Sequence, residues 1–188
     1  RQRYGSRAYH RYTGERNRTM SKNVILIGFM GCGKTSVGIR LSYQMRRAFL
    51  DTDKLIERRA GMTISEIFEK DGEAYFRRLE TETLKGLLAE EGGRVISTGG
   101  GLPTREENRA LLKELGTVVY LKLSAQTVYE RLRGDTQRPL LQCDDPLGKI
   151  QELMAAREAL YIAAADVTVD VDGRSFEAII KEIEEKIA

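Results

Sequence analysis

The stretch "NVILIGFMGCGKTSVG", residues 23–38, joins an apolar run to a loop that holds four glycines and one lysine. Gly28, Gly33, Lys34 and Thr35 satisfy the spacing G-x-x-x-x-G-K-[ST], in which glycines let backbone N–H groups turn towards a phosphate. The amphipathic segment 34–45 follows, so the start of a helix adds its positive dipole end. The stretch predicts a phosphate-binding loop for a nucleoside triphosphate, with Lys34 on the β- and γ-phosphates and Thr35 on Mg²⁺.

Apolar runs alternate with amphipathic stretches along the rest of the chain. Five runs predict strands, at residues 23–28, 48–53, 94–98, 117–123 and 166–171, and the segments between them predict helices. The first and fourth runs are almost continuously apolar, as in strands covered on both faces of a parallel sheet. The last run alternates apolar and polar residues, which favours a position nearer an edge. We therefore expect an α/β fold whose ligands lie beyond the carboxyl ends of the strands.

A long helical segment, "GEAYFRRLETETLKGLLAE" at residues 72–90, lies between the second and third predicted strands. Its apolar side is predicted from residues that recur at spacings of three and four: Phe76, Leu79, Thr83, Leu84, Leu87 and Leu88. Arg77 is expected on the more polar side. Glu80 follows it by one turn and is placed to hold its guanidinium.

Two of the predicted strands end in residues suited to a ligand site. Asp51 and Asp53 close the second strand, and residues two apart in an extended chain face the same side. One carboxylate would then orient the metal and the other an acceptor hydroxyl, unless both aspartates serve only turn and cap geometry. Three glycines at 99–101 follow the third strand, indicating close approach of backbone to a ligand or a tight turn before a helix near Thr104.

Three arginines lie where an anionic substrate would use them. Arg77 and Arg157 would supply forked donors to a carboxylate if both entered the pocket, although single arginines are usually solvated at the surface. Arg138 lies in "RLRGDTQRPLL", residues 131–141. A loop of this length and charge is typical of a lid that closes over a nucleotide and brings an arginine to the transferred phosphoryl group. The alternative is a solvent loop.

Composition excludes several classes of protein. The 188 residues suit one globular domain, with 41% hydrophobic and 31% charged residues, and no apolar run approaches the ~20 residues of a membrane span. Two cysteines are too few for a disulfide framework, and Cys32 lies inside the glycine loop. These features favour a cytoplasmic protein that does not contact a membrane. We expect a monomer, since no segment of the sequence indicates a subunit interface.

The amino-terminal residues differ from the rest of the chain. Residues 1–20 carry six arginines against one glutamate, so the remainder is slightly acidic despite a net charge of +3. The segment has neither helical nor strand periodicity. We interpret residues 1–20 as a disordered basic arm or a cloning remnant, without a nucleic-acid role, and residues 21–188 as a single domain.

Taken together, these motifs resemble those of the shikimate kinases. The matching segments, in family order from about Asn23 to the C-terminus, are "GFMGCGKTSVG", "FLDTD", "DGEAYFRRLE", "STGGG", "RPLL" and "R-x-x-LY". The resemblance implies a three-layer, nucleoside-monophosphate-kinase-like P-loop fold with a lid loop and a five-stranded parallel sheet in the order 2-3-1-4-5. It also implies Mg²⁺-dependent transfer of the γ-phosphoryl group of ATP to the 3-hydroxyl of shikimate, on the route to chorismate and aromatic amino acids.

The resemblance carries residue roles onto matching positions. It assigns to ATP the residues Gly31, Cys32, Gly33, Lys34, Thr35, Ser36, Arg131, Arg138 and Arg174. It assigns to shikimate Asp53, Arg77, Gly99, Gly100, Gly101 and Arg157, and to Mg²⁺ Thr35 and Asp51. Lys34, Asp53 and Arg138 are the implied catalytic residues. The chain departs from the family pattern at Ala159, where many members have proline, and at residues 173–175 of the adenine-side loop.

Two other functions remain open on the sequence alone. Gluconate kinase is another small-molecule kinase of this fold with a similar loop and a polyhydroxy-acid substrate, although the combination of "FLDTD", "FRRLE" and "TGGG" favours shikimate. A regulatory module would bind ATP without transferring phosphate. A guanine-nucleotide switch is disfavoured because the sequence contains no N-K-x-D segment.

Overall fold

The computed structural model describes residues 22–136 and 141–188. These residues form one parallel sheet of five strands, which are β1 (Asn23–Ile27), β2 (Ala48–Asp51), β3 (Arg94–Ser97), β4 (Gly116–Lys122) and β5 (Val167–Asp170). The spatial order is β2-β3-β1-β4-β5. The predicted strands and their order are confirmed, and β5, whose sequence alternates, lies at an edge.

Eight α-helices connect and follow these strands within the described residues. They are α1 (Lys34–Met45), α2 (Thr52–Ala60), α3 (Ile64–Asp71), α4 (Glu73–Leu88), α5 (Glu106–Leu115), α6 (Ala125–Leu132), α7 (Pro146–Ala164) and α8 (Phe176–Ile187). A short 3₁₀ turn, Leu102–Thr104, precedes α5. None of the helices described in residues 22–136 and 141–188 is long and apolar enough to cross a membrane.

The direction of the strand connections creates a crevice at the carboxyl edge of the sheet. The chain moves from β1 to β2 in one direction along the sheet, and from β2 through β3 and β4 to β5 in the other. Right-handed crossovers therefore place α1 on one face and the helices that follow β2, β3 and β4 on the opposite face. The loops after β1 and β3 diverge at neighbouring strands, which is where ligands bind in open α/β sheets.

The register of the strands aligns the loops that form this crevice. Ser97 at the end of β3 pairs with Asp51 on one side and Leu26 on the other. The ends of β1, β2 and β3 therefore lie at one level. The core beneath them is the apolar sheet centre, where every residue of β1 is buried. This packing gives the loops a rigid base.

A smaller apolar cluster fixes the helices between β2 and β3. Ile56 of α2, Ile67 of α3 and Phe76 of α4 are buried against one another. Phe76 was predicted on the buried side of α4, and that prediction is confirmed. Arg77 was expected on the more polar side of α4, and its neighbours there, Glu80 and Thr81, are polar but fully or nearly fully buried. This polar side is covered because α4 packs on α5 as well as on the small cluster.

Candidate active site

The glycine loop after β1 has the backbone that the sequence predicts. Gly31 and Gly33 have φ angles of 78° and 91°, in the left-handed region that other residues rarely adopt. Lys34 is the first residue of α1, and its Nζ donates to the carbonyl oxygens of Gly28 and Phe29 at 2.7 and 3.1 Å. The loop thus places an ammonium group and the amino terminus of a helix around one concavity.

Cys32 and Arg131 support the loop from two sides. Cys32 is 2% exposed, and its Sγ lies 3.6 Å from Lys34 Nζ. Only its backbone can face a ligand. Arg131, near the end of α6, donates from Nη1 to the carbonyl oxygen of Gly31 at 2.9 Å. Arg131 therefore lies at the rim of the loop.

A cavity of about 290 Å³ joins this loop to the ends of β2 and β3. Nine of its lining residues were predicted for the site: Gly31, Gly33, Lys34, Thr35, Ser36, Asp51, Asp53, Gly99 and Gly100. Met30, Ser97 and Thr98 complete the lining. The hydroxyls of Thr35 and Ser36 belong to the first turn of α1. The fold therefore brings these predicted residues together in one crevice.

The two aspartates after β2 have different environments. Asp51 caps α2, and its Oδ1 accepts from the backbone N–H of Asp53 and Lys54 at 2.9 and 3.2 Å. Asp53 has a buried Oδ1 with no hydrogen-bond partner among the described residues. Burial, assisted by the charge of Asp51, raises the pKa of Asp53 to about 6, although Lys34 opposes the shift. An unpartnered buried acceptor of this kind is suited to a ligand hydroxyl.

Each of the three glycines after β3 lies against a different charged side chain. A β-carbon on Gly99 would lie 2.6 Å from Asp53 Oδ1. A β-carbon on Gly100 would lie 3.7 Å from Arg157 Nη1, and one on Gly101 would overlap the Arg77 guanidinium. Gly99 and Gly101 therefore leave room for the Asp53 carboxylate and the Arg77 guanidinium, while Arg157 lies within ordinary contact distance of a β-carbon at Gly100.

Arg77 reaches this stretch because two carboxylates hold it. Its Nη1 donates to Glu80 Oε1 at 2.7 Å and its Nη2 to Glu73 Oε1 at 3.2 Å, and its side chain is 20% exposed. Glu80 was predicted as this partner, and the contact is confirmed. Burial raises the pKa of Glu80 to about 7, although the charge of Arg77 opposes the shift.

Arg157 reaches the glycine segment from α7. Its guanidinium carbon lies 5.7 Å from the centroid of the Phe29 ring. Tyr161, one turn later on α7, donates its hydroxyl to the carbonyl oxygen of Gly100 at 2.6 Å. Burial raises the pKa of Tyr161 to about 12, so the hydroxyl stays protonated and keeps this bond at neutral pH. The bond ties α7 to the glycine segment and fixes the approach of Arg157.

One predicted residue lies elsewhere, between β5 and α8. The guanidinium of Arg174 contacts the Glu182 carboxylate and donates to the carbonyl oxygens of Asp170 and Ala178, so it joins β5 to α8. It does not line the cavity described above. Arg138 and the rest of the "RPLL" segment up to residue 140 lie outside the described residues, as do residues 1–20.

The donor set suits Mg²⁺. Thr35 and Asp51 both line the cavity, and Asp51 uses Oδ1 for its cap contacts, which leaves Oδ2 for a ligand. Among residues 22–136 and 141–188, no cluster of three or more His, Cys, Asp or Glu side chains forms a cation cage. A hydroxyl, one carboxylate and substrate phosphates are the arrangement that Mg²⁺ commonly takes.

The sequence model of one family, described as "Shikimate kinase", matches residues 30–188. The chain belongs to the shikimate kinase family. Among curated members, the shikimate kinase of Thioalkalivibrio sulfidiphilus is 45% identical over 165 residues, which are 88% of this chain and 86% of that protein. The shikimate kinase of Symbiobacterium thermophilum is 44% identical over 88% of this chain and 95% of its own length.

Solved structures of shikimate kinases have the same fold. The enzyme from Acinetobacter baumannii, solved in complex with shikimate, superposes with a TM-score of 0.82 at 39% identity, over 89% of this chain and 93% of that one. A gluconokinase from Sinorhizobium meliloti superposes with a TM-score of 0.53 at 16% identity. At that identity the likeness concerns the fold alone, so it does not support the gluconate kinase alternative. The family predicted from the motifs is confirmed by the shikimate kinase matches.

Sequence reasoning predicted Glu80 but missed two other residues that hold the site residues in place, Tyr161 and Thr52. Tyr161 was quoted only as part of "R-x-x-LY", although its spacing of four from Arg157 puts both on one side of a helix. The Thr52 Oγ1 accepts from the backbone N–H of Gly99 at 3.2 Å. Nothing in the sequence distinguishes this threonine from one that simply begins a helix. Contacts between elements distant in sequence cannot be derived from local spacing.

Proposed function

We propose that this chain transfers the γ-phosphoryl group of ATP to the 3-hydroxyl of shikimate, giving shikimate 3-phosphate and ADP. The observation that carries the proposal is the glycine segment 99–101, which meets Asp53, Arg157 and Arg77 in turn beside a phosphate-binding loop. An acceptor with a carboxylate at one end and hydroxyls at the other matches this order of charges. Shikimate has that chemistry, and the family assignment supports it.

The two arginines would bind the carboxylate of the substrate. Guanidinium groups present paired donors that match a carboxylate, and each charge-assisted bond is worth roughly 1.5–3 kcal/mol. Arg77 is already oriented by Glu80 and Glu73, and Arg157 lies over the Phe29 ring. Little side-chain freedom is left to lose on binding, which favours affinity.

Asp53 would accept the proton of the attacking hydroxyl. Its Oδ1 lacks a partner within the described residues and its pKa is about 6, so it is mainly ionised at pH 7–8 and still basic enough to take a proton. The same burial that raises its pKa keeps competing water away. Lys34 on the neighbouring loop lowers the charge repulsion between this carboxylate and the incoming phosphate.

The loop residues 31–36 would bind the phosphates of ATP. Lys34 would exchange the carbonyl oxygens of Gly28 and Phe29 for phosphate oxygens, which are stronger acceptors because they are charged. Thr35 and Asp51 would hold Mg²⁺, which neutralises charge on the β- and γ-phosphates when bound. Arg131 at the loop rim, Arg138 in the lid and Arg174 are proposed for the nucleotide side on the resemblance.

The proposal extends to the setting of the enzyme. A monomer working in the cytoplasm on ATP and shikimate, without nucleic acid or membrane, is consistent with the composition and with Cys32 being buried behind the loop as a thiol. Residues 21–188 would then act as one catalytic domain. Size-exclusion chromatography with light scattering measures the oligomeric state.

The test is ADP release from ATP and Mg²⁺ in a coupled assay, with shikimate, gluconate or no acceptor. We expect release with shikimate alone. Release with gluconate would assign the other kinase activity, and tight ATP binding without release would assign a regulatory module. Arg77→Ala should raise the KM for shikimate at least tenfold with ATP affinity nearly unchanged. Arg78→Ala, at an exposed neighbouring position, is the matched control.

A further inference from the structure

Arg77 and the glycine segment belong to elements that are far apart in sequence. Arg77 lies on α4, while Gly101 follows β3 and leads into the 3₁₀ turn Leu102–Thr104. Their separation decides whether the guanidinium and the glycine backbone meet the same carboxylate. A displacement of about 1 Å at such a site can cost about a hundredfold in rate.

One buried asparagine connects these two elements directly. Asn108 of α5 has no exposed surface, and its Nδ2 donates to the carbonyl oxygen of Leu102 at 2.9 Å. Its Oδ1 accepts from the Thr81 hydroxyl of α4 at 2.7 Å. Because a carbonyl oxygen only accepts, Nδ2 must face Leu102 and Oδ1 must face Thr81, which fixes the orientation of the amide.

Arg105 extends this connection to Arg77 itself. Its Nη1 donates to the Thr81 hydroxyl oxygen at 3.0 Å and to the backbone carbonyl oxygen of Arg77 at 3.1 Å. The Thr81 hydroxyl therefore accepts from Arg105 and donates to Asn108 at 2.7 Å, which is shorter than its 3.2 Å contact with the Arg77 carbonyl oxygen of its own helix, so its main contacts join α4 to Arg105 and α5. Arg109 of α5 adds donors to the carbonyl oxygens of Pro103 and Thr104 at 3.0 and 2.9 Å.

We propose that Asn108, acting through Thr81 and Arg105, is a positioning residue that sets the distance between Arg77 and the glycine segment and thereby the affinity for the acid substrate. The inference rests on the proposed function. Asn108 is not a catalytic residue, since it is fully buried and does not line the cavity. Its contacts with Thr81 and Leu102 join the two sides of the carboxylate site without touching the phosphate-binding loop.

The chain offers a matched pair of threonines for the test. Thr81 and Thr83 are both buried on α4, but the Thr83 hydroxyl donates only to Leu79 of its own helix, at 2.7 Å. Thr81→Val and Thr83→Val remove the same hydroxyl from the same helix. Only the first breaks the contact with α5. Thr81→Ser keeps the hydroxyl and is the rescue variant.

The experiment measures KM for shikimate and for ATP, binding of shikimate by calorimetry, and the melting temperature. We expect Thr81→Val and Asn108→Leu to raise the KM and Kd for shikimate about tenfold with the KM for ATP within about twofold. Thr83→Val and Thr81→Ser should leave both KM values unchanged, even where Thr83→Val lowers the melting temperature.

Equal shikimate affinity in Thr81→Val and Thr83→Val would overturn the inference, as would parallel changes in both KM values. If Asn108→Leu does not fold, Arg105→Met at a partly exposed position gives the same readout, with a several-fold rise expected. If the wild type binds and phosphorylates shikimate and every variant has the same shikimate affinity, only the positioning role is refuted. Wild-type protein that neither binds nor phosphorylates shikimate refutes the proposed function and this inference with it.

Discussion

Replacing Asp53 by asparagine should lower turnover at least about a hundredfold and make the protein more stable. The Asp53 carboxyl has its pKa raised from 3.8 to about 6, chiefly by burial. At about 1.36 kcal/mol per pKa unit, ionised Asp53 costs the folded protein at most about 3 kcal/mol at neutral pH. Local relaxation of the folded protein reduces this cost. We therefore expect Asp53→Asn to raise the free energy of unfolding by about 1–2 kcal/mol, which corresponds to roughly 3–6 °C in melting temperature.

The pH dependence of this gain follows from proton linkage. Between pH 3.8 and about 6 the folded protein retains the Asp53 proton and the unfolded chain does not. The stability of the wild type therefore falls as pH rises through this range and is level above it. The difference in free energy of unfolding between Asp53→Asn and wild type should be small near pH 4, grow between pH 4 and 6, and reach its full value at pH 7–8. This difference isolates Asp53, because all other carboxyl groups are common to both proteins.

The assay is thermal unfolding without ligands at pH 4.5 and pH 8, followed by calorimetry, with kcat measured on the same preparations. Glu82→Gln, at an exposed position on α4, is the matched carboxylate-to-amide control and should change neither quantity. The turnover of Asp53→Asn should fall at least about a hundredfold, since a positioned base contributes 10²–10⁴ in rate. An Asp53→Asn protein that is no more stable than wild type at pH 8, or equally stabilised at pH 4.5, would refute the reasoning.

Three further outcomes are expected. Gly101→Ala, whose β-carbon would overlap the Arg77 guanidinium, should raise the shikimate KM at least tenfold with ATP affinity retained. The control Gly86→Ala, in the last turn of α4, should add about 0.4–1 kcal/mol of stability and leave the kinetics unchanged. Equal kinetics in the two variants would count against the site. Lys34→Ala should remove phosphoryl transfer with an unchanged circular dichroism spectrum, and near-normal kcat would exclude Lys34 from catalysis. The kcat/KM for shikimate should fall about tenfold per pH unit below about 6 as Asp53 protonates, and a flat profile down to pH 5 would contradict its role as a base.

Local sequence accounts for the elements and for the phosphate-binding loop. The spacing of Gly28, Gly33, Lys34 and Thr35 predicts the loop because backbone conformation there depends on residues adjacent in sequence. The apolar runs predict the five strands within one or two residues of their observed ends. The strand order came from the resemblance to a family, since several orders of five parallel strands satisfy the same pattern.

Local sequence does not account for the orientation of the charged side chains. Arg77 looked like a residue of a polar helix side, and the structure covers that side with α5 and pairs Arg77 with a fully buried Glu80. Arg157 and the glycine segment lie 56 or more residues apart in sequence, and Tyr161 joins them through a single hydrogen bond. Such contacts depend on how helices pack across the sheet.

The sequence by itself determined that this chain folds as a parallel α/β domain with a nucleotide-binding loop, because glycine conformation and apolar periodicity act over a few residues. Only the tertiary structure decided that Gly99, Gly100 and Gly101 each meet a different charged group, and that Asn108 links α4 to the turn that follows them. The physical reason is that these contacts join residues far apart in sequence. Hydrogen bonds between distant elements, and the burial that raises the pKa of Asp53, exist only after the sheet and helices have packed.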